Sequence, residues 1–136
     1  MSVSFDSSGV RSERTLAPPP EEPPSCYRCG GVSELSVTRS SNRNGNAGRP
    51  FYKCRSCGKF LVFNDNRGND PTNPECNCGS SSKRQVSGRS KTVAGRLHYV
   101  CRLGTCDFFS PCRDENGVDS VVNMDFVEKL SQLSFI

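Results

Sequence analysis

Apolar residues occur in short runs set among long polar stretches, and their period changes along the chain. Leu35 and Val37 alternate with Glu34, Ser36 and Thr38, the pattern of a strand with one face toward a core. Pro50-Phe51-Tyr52-Lys53 is brief and aromatic, and Phe60-Leu61-Val62-Phe63 is rich in strand formers, so both predict further short strands. Near the C-terminus Val122, Phe126, Leu130 and Leu133 recur at three- and four-residue intervals after the polar pair Asp119-Ser120, which predicts a short amphipathic helix within 118–136. Phe126, Leu130 and Leu133 are expected on one face of it, either covering a neighbouring unit or receiving a partner. Residues 1–25 are rich in Ser, Pro and Glu and show no such period, so they predict a disordered leader.

Comparison of the chain with itself shows a repeat. Ala47-Gly48-Arg49-Pro50-Phe51-Tyr52-Lys53-Cys54 matches Ala94-Gly95-Arg96-Leu97-His98-Tyr99-Val100-Cys101, and Cys57 to Phe60 matches Cys106 to Phe109. Each match is preceded by a close cysteine pair and a polar, basic stretch. Two units of about forty residues follow, 26–65 and 76–114, with 66–75 as a linker whose Asn, Asp, Gly and Pro residues are those of turns.

Composition explains how such small units could be stable. The chain of 136 residues is only 33% hydrophobic and has no tryptophan, too little to stabilise a conventional core against chain entropy without a staple. Nine cysteines supply one. The N-terminus lacks the apolar stretch of a secretory signal, and no apolar run is long enough to span a membrane. The protein is therefore expected inside the cell, nuclear or cytoplasmic, where closely paired cysteines serve as metal ligands more often than as disulfides.

Cys26 and Cys29 form one CxxC pair and Cys54 and Cys57 another, with 24 residues between them. Two such turns brought together offer the four thiolates of a tetrahedral structural zinc. Cys76, Cys78, Cys101 and Cys106 form a second quartet of looser spacing, supported by the repeat, so two Zn2+ ions per chain are expected. Cys112, the ninth, aligns with Phe63 and reads as a small buried apolar side chain, with service as a replacement ligand as the alternative. His98, opposite Phe51 in the repeat, fits packing or base stacking better than ligation. A closed quartet of thiolates leaves no position for a catalytic water, so no enzymatic activity is expected.

Charge adds a candidate partner. Residues 26–65 carry seven Lys or Arg against two acids, and residues 76–114 repeat the same count, so each unit has a net charge of +5 while the whole chain has +4. Basic side chains follow phosphates and aromatic faces stack unpaired bases. Arg49, Phe51 and Tyr52 in the first unit, with Arg96, His98 and Tyr99 in the second, are the candidate nucleic-acid-binding residues.

Cys29-Gly30, the segment from Asn46 to Cys54, and Cys57-Gly58-Lys59-Phe60 resemble the GRF-type zinc finger, named for its Gly-Arg-x-Phe core. Gly95-Arg96-Leu97-His98-Tyr99-Val100-Cys101 and Cys106-Asp107-Phe108-Phe109 are similar, with His98 where the core has its Phe. This resemblance implies a small metal-stabilised β-rich protein of two tandem zinc ribbons of short antiparallel strands. It also implies binding to single-stranded DNA, the property of GRF-type fingers on DNA repair and topoisomerase enzymes. The competing reading is a structural or protein-interaction protein, such as a small subunit of a larger assembly, with its partner held through the C-terminal helix. A thiol redox enzyme is disfavoured, because both quartets lack the free reactive partner that such chemistry needs.

Overall fold

The computed structural model describes residues 15–136. Six short strands make two three-stranded antiparallel sheets. In the first ribbon β1 (Ser33–Val37), β2 (Pro50–Cys54) and β3 (Phe60–Phe63) lie in the order β1-β2-β3. In the second, β4 (Lys83–Val86), β5 (Leu97–Val100) and β6 (Phe109–Pro111) lie in the order β4-β5-β6. The strands expected at 34–38, 50–53 and 60–63 are therefore present, each within a residue of the expected bounds.

The two sheets differ at one position, and that position decides which side chains face solvent. Tyr52 pairs with Val62 while the next residue, Lys53, pairs with Phe60, so Leu61 is an extra residue in β3. A bulge of this kind breaks strict alternation. Leu61 and Val62 both turn inward, at 7% and 0% exposure, and Phe60 and Phe63 both turn outward with their rings 4.8 Å apart. In the second ribbon the pairing is regular, with His98 opposite Pro111 as Phe51 is opposite Phe63. The sequence match of Cys112 to Phe63 is thus displaced by one. Cys112 corresponds to Asn64, and both donate their N–H to the carbonyl of the first residue of the middle strand, Leu97 and Pro50.

Each ribbon has a small core. Cys26, Tyr52, Cys54, Leu61 and Val62 form the first; Leu97, Val127 and Ile136 form the second, flanked by Val86, Cys112, Val122, Met124, Leu130 and Phe135. The second core therefore depends on the C-terminal segment.

That segment is less helical than its periodicity predicts. Residues 118–122 are extended: Val121 bridges to Arg96 and Asp119 to Arg113, and Ser120 accepts the N–H of Leu97. Asn123 caps a single 3-10 turn, Met124–Phe126, by accepting the N–H of Asp125. One short helix follows, α1 (Val127–Gln132), and Ser134, in the left-handed region, ends the turn after it. Sheet pairing takes up the start of the expected helix, and the inward face is Val127 and Leu130 with Ile136 beyond it. Phe126 and Leu133 point to solvent, at 62% and 56% exposure, so the expected single apolar face is split. Among the described residues no helix is long and apolar enough to cross a membrane.

The connector behaves least like its composition. Asn69, Asp70 and Asn73 are buried, and Asn73 donates to the carbonyls of Gly68 and Ser82, both at 2.8 Å. Gly68 receives the N–H of Arg84 from β4 and donates to Ser134. It has φ +75°, and a methyl group there would strike the carbonyl of Arg84. Turn-forming residues thus serve as a polar joint that fixes one ribbon against the other. Residues 15–25 also belong to the fold, unlike the disordered leader expected there: Ala17 donates its N–H to the carbonyl of Asn69 and accepts from the Asn69 side-chain amide, and Arg102 donates to the carbonyl of Pro18 at 2.7 Å. The remainder of the expected leader lies outside the described residues.

Candidate metal centres and nucleic-acid interface

Local backbone geometry delivers the cysteines. In the first ribbon Gly30 donates to the carbonyl of Cys26 and Gly58 to that of Cys54, each closing a CxxC turn. Both glycines have φ near +75°, a conformation that side chains disfavour. In the second ribbon the turn is a residue shorter, and Gly79 donates to Cys76.

These turns gather Cys26, Cys29, Cys54 and Cys57 in one group and Cys76, Cys78, Cys101 and Cys106 in another, all ligand atoms of each group lying within 4.8 Å of one another. Sulfurs on a tetrahedral zinc with Zn–S of about 2.3 Å stand about 3.8 Å apart. The Sγ atoms of Cys26 and Cys57 are 3.8 Å apart, those of Cys29 and Cys54 3.4 Å, and those of Cys76 and Cys101 3.8 Å. Donor set and spacing both fit zinc.

The surroundings prepare some of the sulfurs for ionisation. The N–H of Cys57 points at Cys54 Sγ and, with neighbouring donors, draws that thiol down to about 6 despite its burial. For Cys29 the N–H of Gly31 acts downward, but the adjacent sulfurs, led by Cys54, outweigh it and push the thiol up to about 12. Burial pushes Cys101 up, yet the N–H and hydroxyl of Thr105 prevail and hold it at about 6. Four crowded sulfurs resist ionising together, and a dication removes that conflict.

Neither His98 nor Cys112 joins a quartet. Cys112 lies in the second core with Tyr99 Oη 3.2 Å from its sulfur. His98 is buried and stacks on Phe109, with ring centroids 4.9 Å apart and planes inclined by 27°.

The residues expected to meet nucleic acid divide between interior and surface. Arg49 is only 4% exposed. Its Nε donates to Asp65 Oδ2 at 2.6 Å and its Nη1 to Asn46 at 2.9 Å, and its guanidinium lies 3.9 Å from the centre of the Phe63 ring. With both edges and a face occupied, its guanidinium is engaged inside the protein. Tyr52 is buried in the first core. Tyr99 is half-buried, held between Cys112 and the guanidinium of Arg84. Arg96 is half-buried and pairs with Asp119 at 3.4 Å.

Phe51 is half-buried and His98 buried, and each backs a more exposed phenylalanine. Phe51 stacks on Phe60 with centroids 5.4 Å apart and planes inclined by 28°, close to the geometry of His98 on Phe109. Phe60 and Phe109 are 41% and 57% exposed. Sequence reasoning passed over both, although the repeat aligned them. The bulge at Leu61, which sets Phe60 outward, had no distinct sequence signal. Lys59 adjoins Phe60, and Lys91 and Arg96 lie near His98 and Phe109.

Residues 23–67 match the family described as GRF-like zinc ribbon domain. The solved structure of the human NEIL3 tandem zinc finger GRF domains aligns with 65% of this chain and 97% of its own, at 27% sequence identity and a TM-score of 0.25. No curated protein matches the chain. Residues 23–67 are thus similar to a GRF-like zinc ribbon, and a second three-stranded sheet with its own cysteine quartet repeats the plan of the first.

Proposed function

We propose that this protein is a non-enzymatic module that binds two zinc ions and holds single-stranded nucleic acid, DNA foremost, on the aromatic faces of its ribbons. One observation carries the reading: each ribbon presents a solvent-exposed phenylalanine, Phe60 or Phe109, flattened against a second ring from the adjacent strand. A backed, exposed ring is a ready platform for an unpaired base, and it accepts any base because every base has a π-face. Lysines and an arginine beside these platforms supply the charge that tracks phosphates.

Each metal would be held by one cysteine quartet and would supply folding energy, since ribbons of about forty residues bury too little apolar surface alone. Four thiolates fill a tetrahedral site, which suits a structural role. The test is fluorescence anisotropy of the full chain with labelled single-stranded and duplex oligonucleotides of DNA and RNA across a salt series. Tighter binding to single strands, weakening steeply as salt rises, supports the reading. Equal affinity for duplex, or no binding at low salt, rejects it.

A protein-interaction reading has its own observation. Val118, Val121, Phe126 and Leu133 leave apolar surface exposed near the C-terminus, at 59%, 53%, 62% and 56%. Loss of a co-purifying partner on changing Phe126 and Leu133 to Ser, with strand binding intact, would support that reading.

A further inference from the structure

The two aromatic platforms do not face separate regions of solvent. A cleft of about 580 Å³ is lined by Phe60 from the first ribbon and by Gln85, Lys91, Arg96, His98 and Phe109 from the second. A neighbouring recess of about 490 Å³ shares Phe60, Gln85, Lys91 and Phe109 and adds Tyr27 and Lys59. The equivalent phenylalanines of the repeat therefore stand on one continuous groove between the ribbons. Lys59, Lys91 and Arg96 line this groove, Arg96 already paired with Asp119, and the only acid in its lining is Asp107, so its charge suits a polyanion.

The groove also has fixed walls. Lys83 of the second ribbon donates to the carbonyl and carboxylate of Asp65 in the first, both at 2.9 Å, and Gly104 of the second packs against Val62 of the first. Two platforms held at constant separation favour a ligand that meets both at once, because a preorganised site loses less freedom on binding.

We infer that the two ribbons form one composite site, in which a single strand lies in the groove and stacks bases on both Phe60 and Phe109. This rests on the single-strand reading above and adds its stoichiometry: one strand per chain, with both ribbons needed for affinity. Two independent platforms would instead bind two short strands, each indifferent to the other phenylalanine.

The experiment uses the full zinc-loaded chain and fluorescein-labelled oligo-deoxythymidylate. A titration well above the dissociation constant reads stoichiometry, and one with trace oligonucleotide reads affinity. Wild type is expected to bind one strand per chain. Phe60→Ala and Phe109→Ala are each expected to weaken that binding about tenfold or more, as loss of a stacked base does. Phe60→Leu, which keeps apolar contact with Phe51 and Phe63 but removes the flat ring, should weaken it likewise with zinc content and circular dichroism unchanged. Lys91→Glu should do the same and flatten the salt dependence. Two strands per chain, or Phe60→Leu that halves capacity while leaving the remaining affinity intact, would overturn the composite site but leave single-strand binding standing. Failure of wild type to bind any single strand would overturn the functional reading and this inference with it.

Discussion

Asp65 is the residue on which the joint between the ribbons most depends, and Asp65→Asn is the sharpest perturbation of it. Its carboxylate serves two buried cations: Arg49 at 2.6 and 3.1 Å, with a side chain 3% exposed, and Lys83 at 2.9 Å, with a side chain 0% exposed. Burial pushes the Asp65 carboxyl up, but Arg49 and Lys83 outweigh it and hold it below the usual range. Its stabilising contribution is thus present above the unfolded-state value and is lost as pH falls through the folded one. Asparagine keeps the shape and removes the charge, leaving both cations without a counter-ion. Breaking a buried ion pair on one side costs about 3–5 kcal/mol, and at roughly 3–5 °C per kcal/mol for a chain of this size the Tm should fall by roughly 9–25 °C. Lys83→Met should behave differently. Burial draws the Lys83 ammonium down to about 8 despite the attraction of Asp65, and Arg49 and Arg67 repel it, so the ion is held at net cost. A long apolar chain in its place should change stability by no more than about 1–2 kcal/mol, the part due to Asn69 Oδ1 losing its donor. Urea unfolding of the zinc-loaded proteins, followed by circular dichroism, measures both. Asp65→Asn costing less than about 1 kcal/mol, or Lys83→Met proving equally damaging, would refute this account of the joint.

Three further outcomes are expected. Cys112→Ala should retain two zinc ions and the fold, Cys106→Ala should lose one ion, and chelation should unfold the wild type, with metal content measured by atomic emission; loss of metal from Cys112→Ala would contradict the quartet assignment. Truncation after Asn116 removes Val127 and Ile136 from above Leu97 and should lower stability by roughly 1.5–3 kcal/mol for each side chain, which differential scanning calorimetry would read; an unchanged Tm would mean the C-terminal segment does not cover the second core. Gly68→Ala should cost at least about 1–3 kcal/mol, because the left-handed backbone is strained by a side chain and the methyl meets the Arg84 carbonyl; a neutral effect in denaturant unfolding would show that the joint yields there.

The elements legible in the sequence are those set by local rules. Period-two alternation located β1, aromatic and β-branched runs located β2 and β3, and cysteine spacing with the repeat located both quartets. What escaped was set by partners distant in the chain. Arg49 reads as a surface cation until Asp65 and Lys83 are placed beside it, and no local pattern announces that three charged residues will share an interior. The connector composition signals turns correctly, but burial of Asn69 and Asn73 follows from the ribbons closing over it. The extra residue Leu61 inverts the facing of Phe60, so counting alternate positions does not reveal the exposed platform. The periodicity overstates the helix because Val122 suits a three-to-four period as well as it suits the extended segment that pairs with Gly95 and Arg96.

The central claim, a tandem zinc-ribbon protein that holds a single strand between its ribbons, is tested most directly by native mass spectrometry of the full chain mixed with oligo-deoxythymidylate. The account predicts a dominant species of one chain, two zinc ions and one strand. A chain carrying fewer than two metals, or a fully metallated chain with no strand attached at low ionic strength, would contradict it.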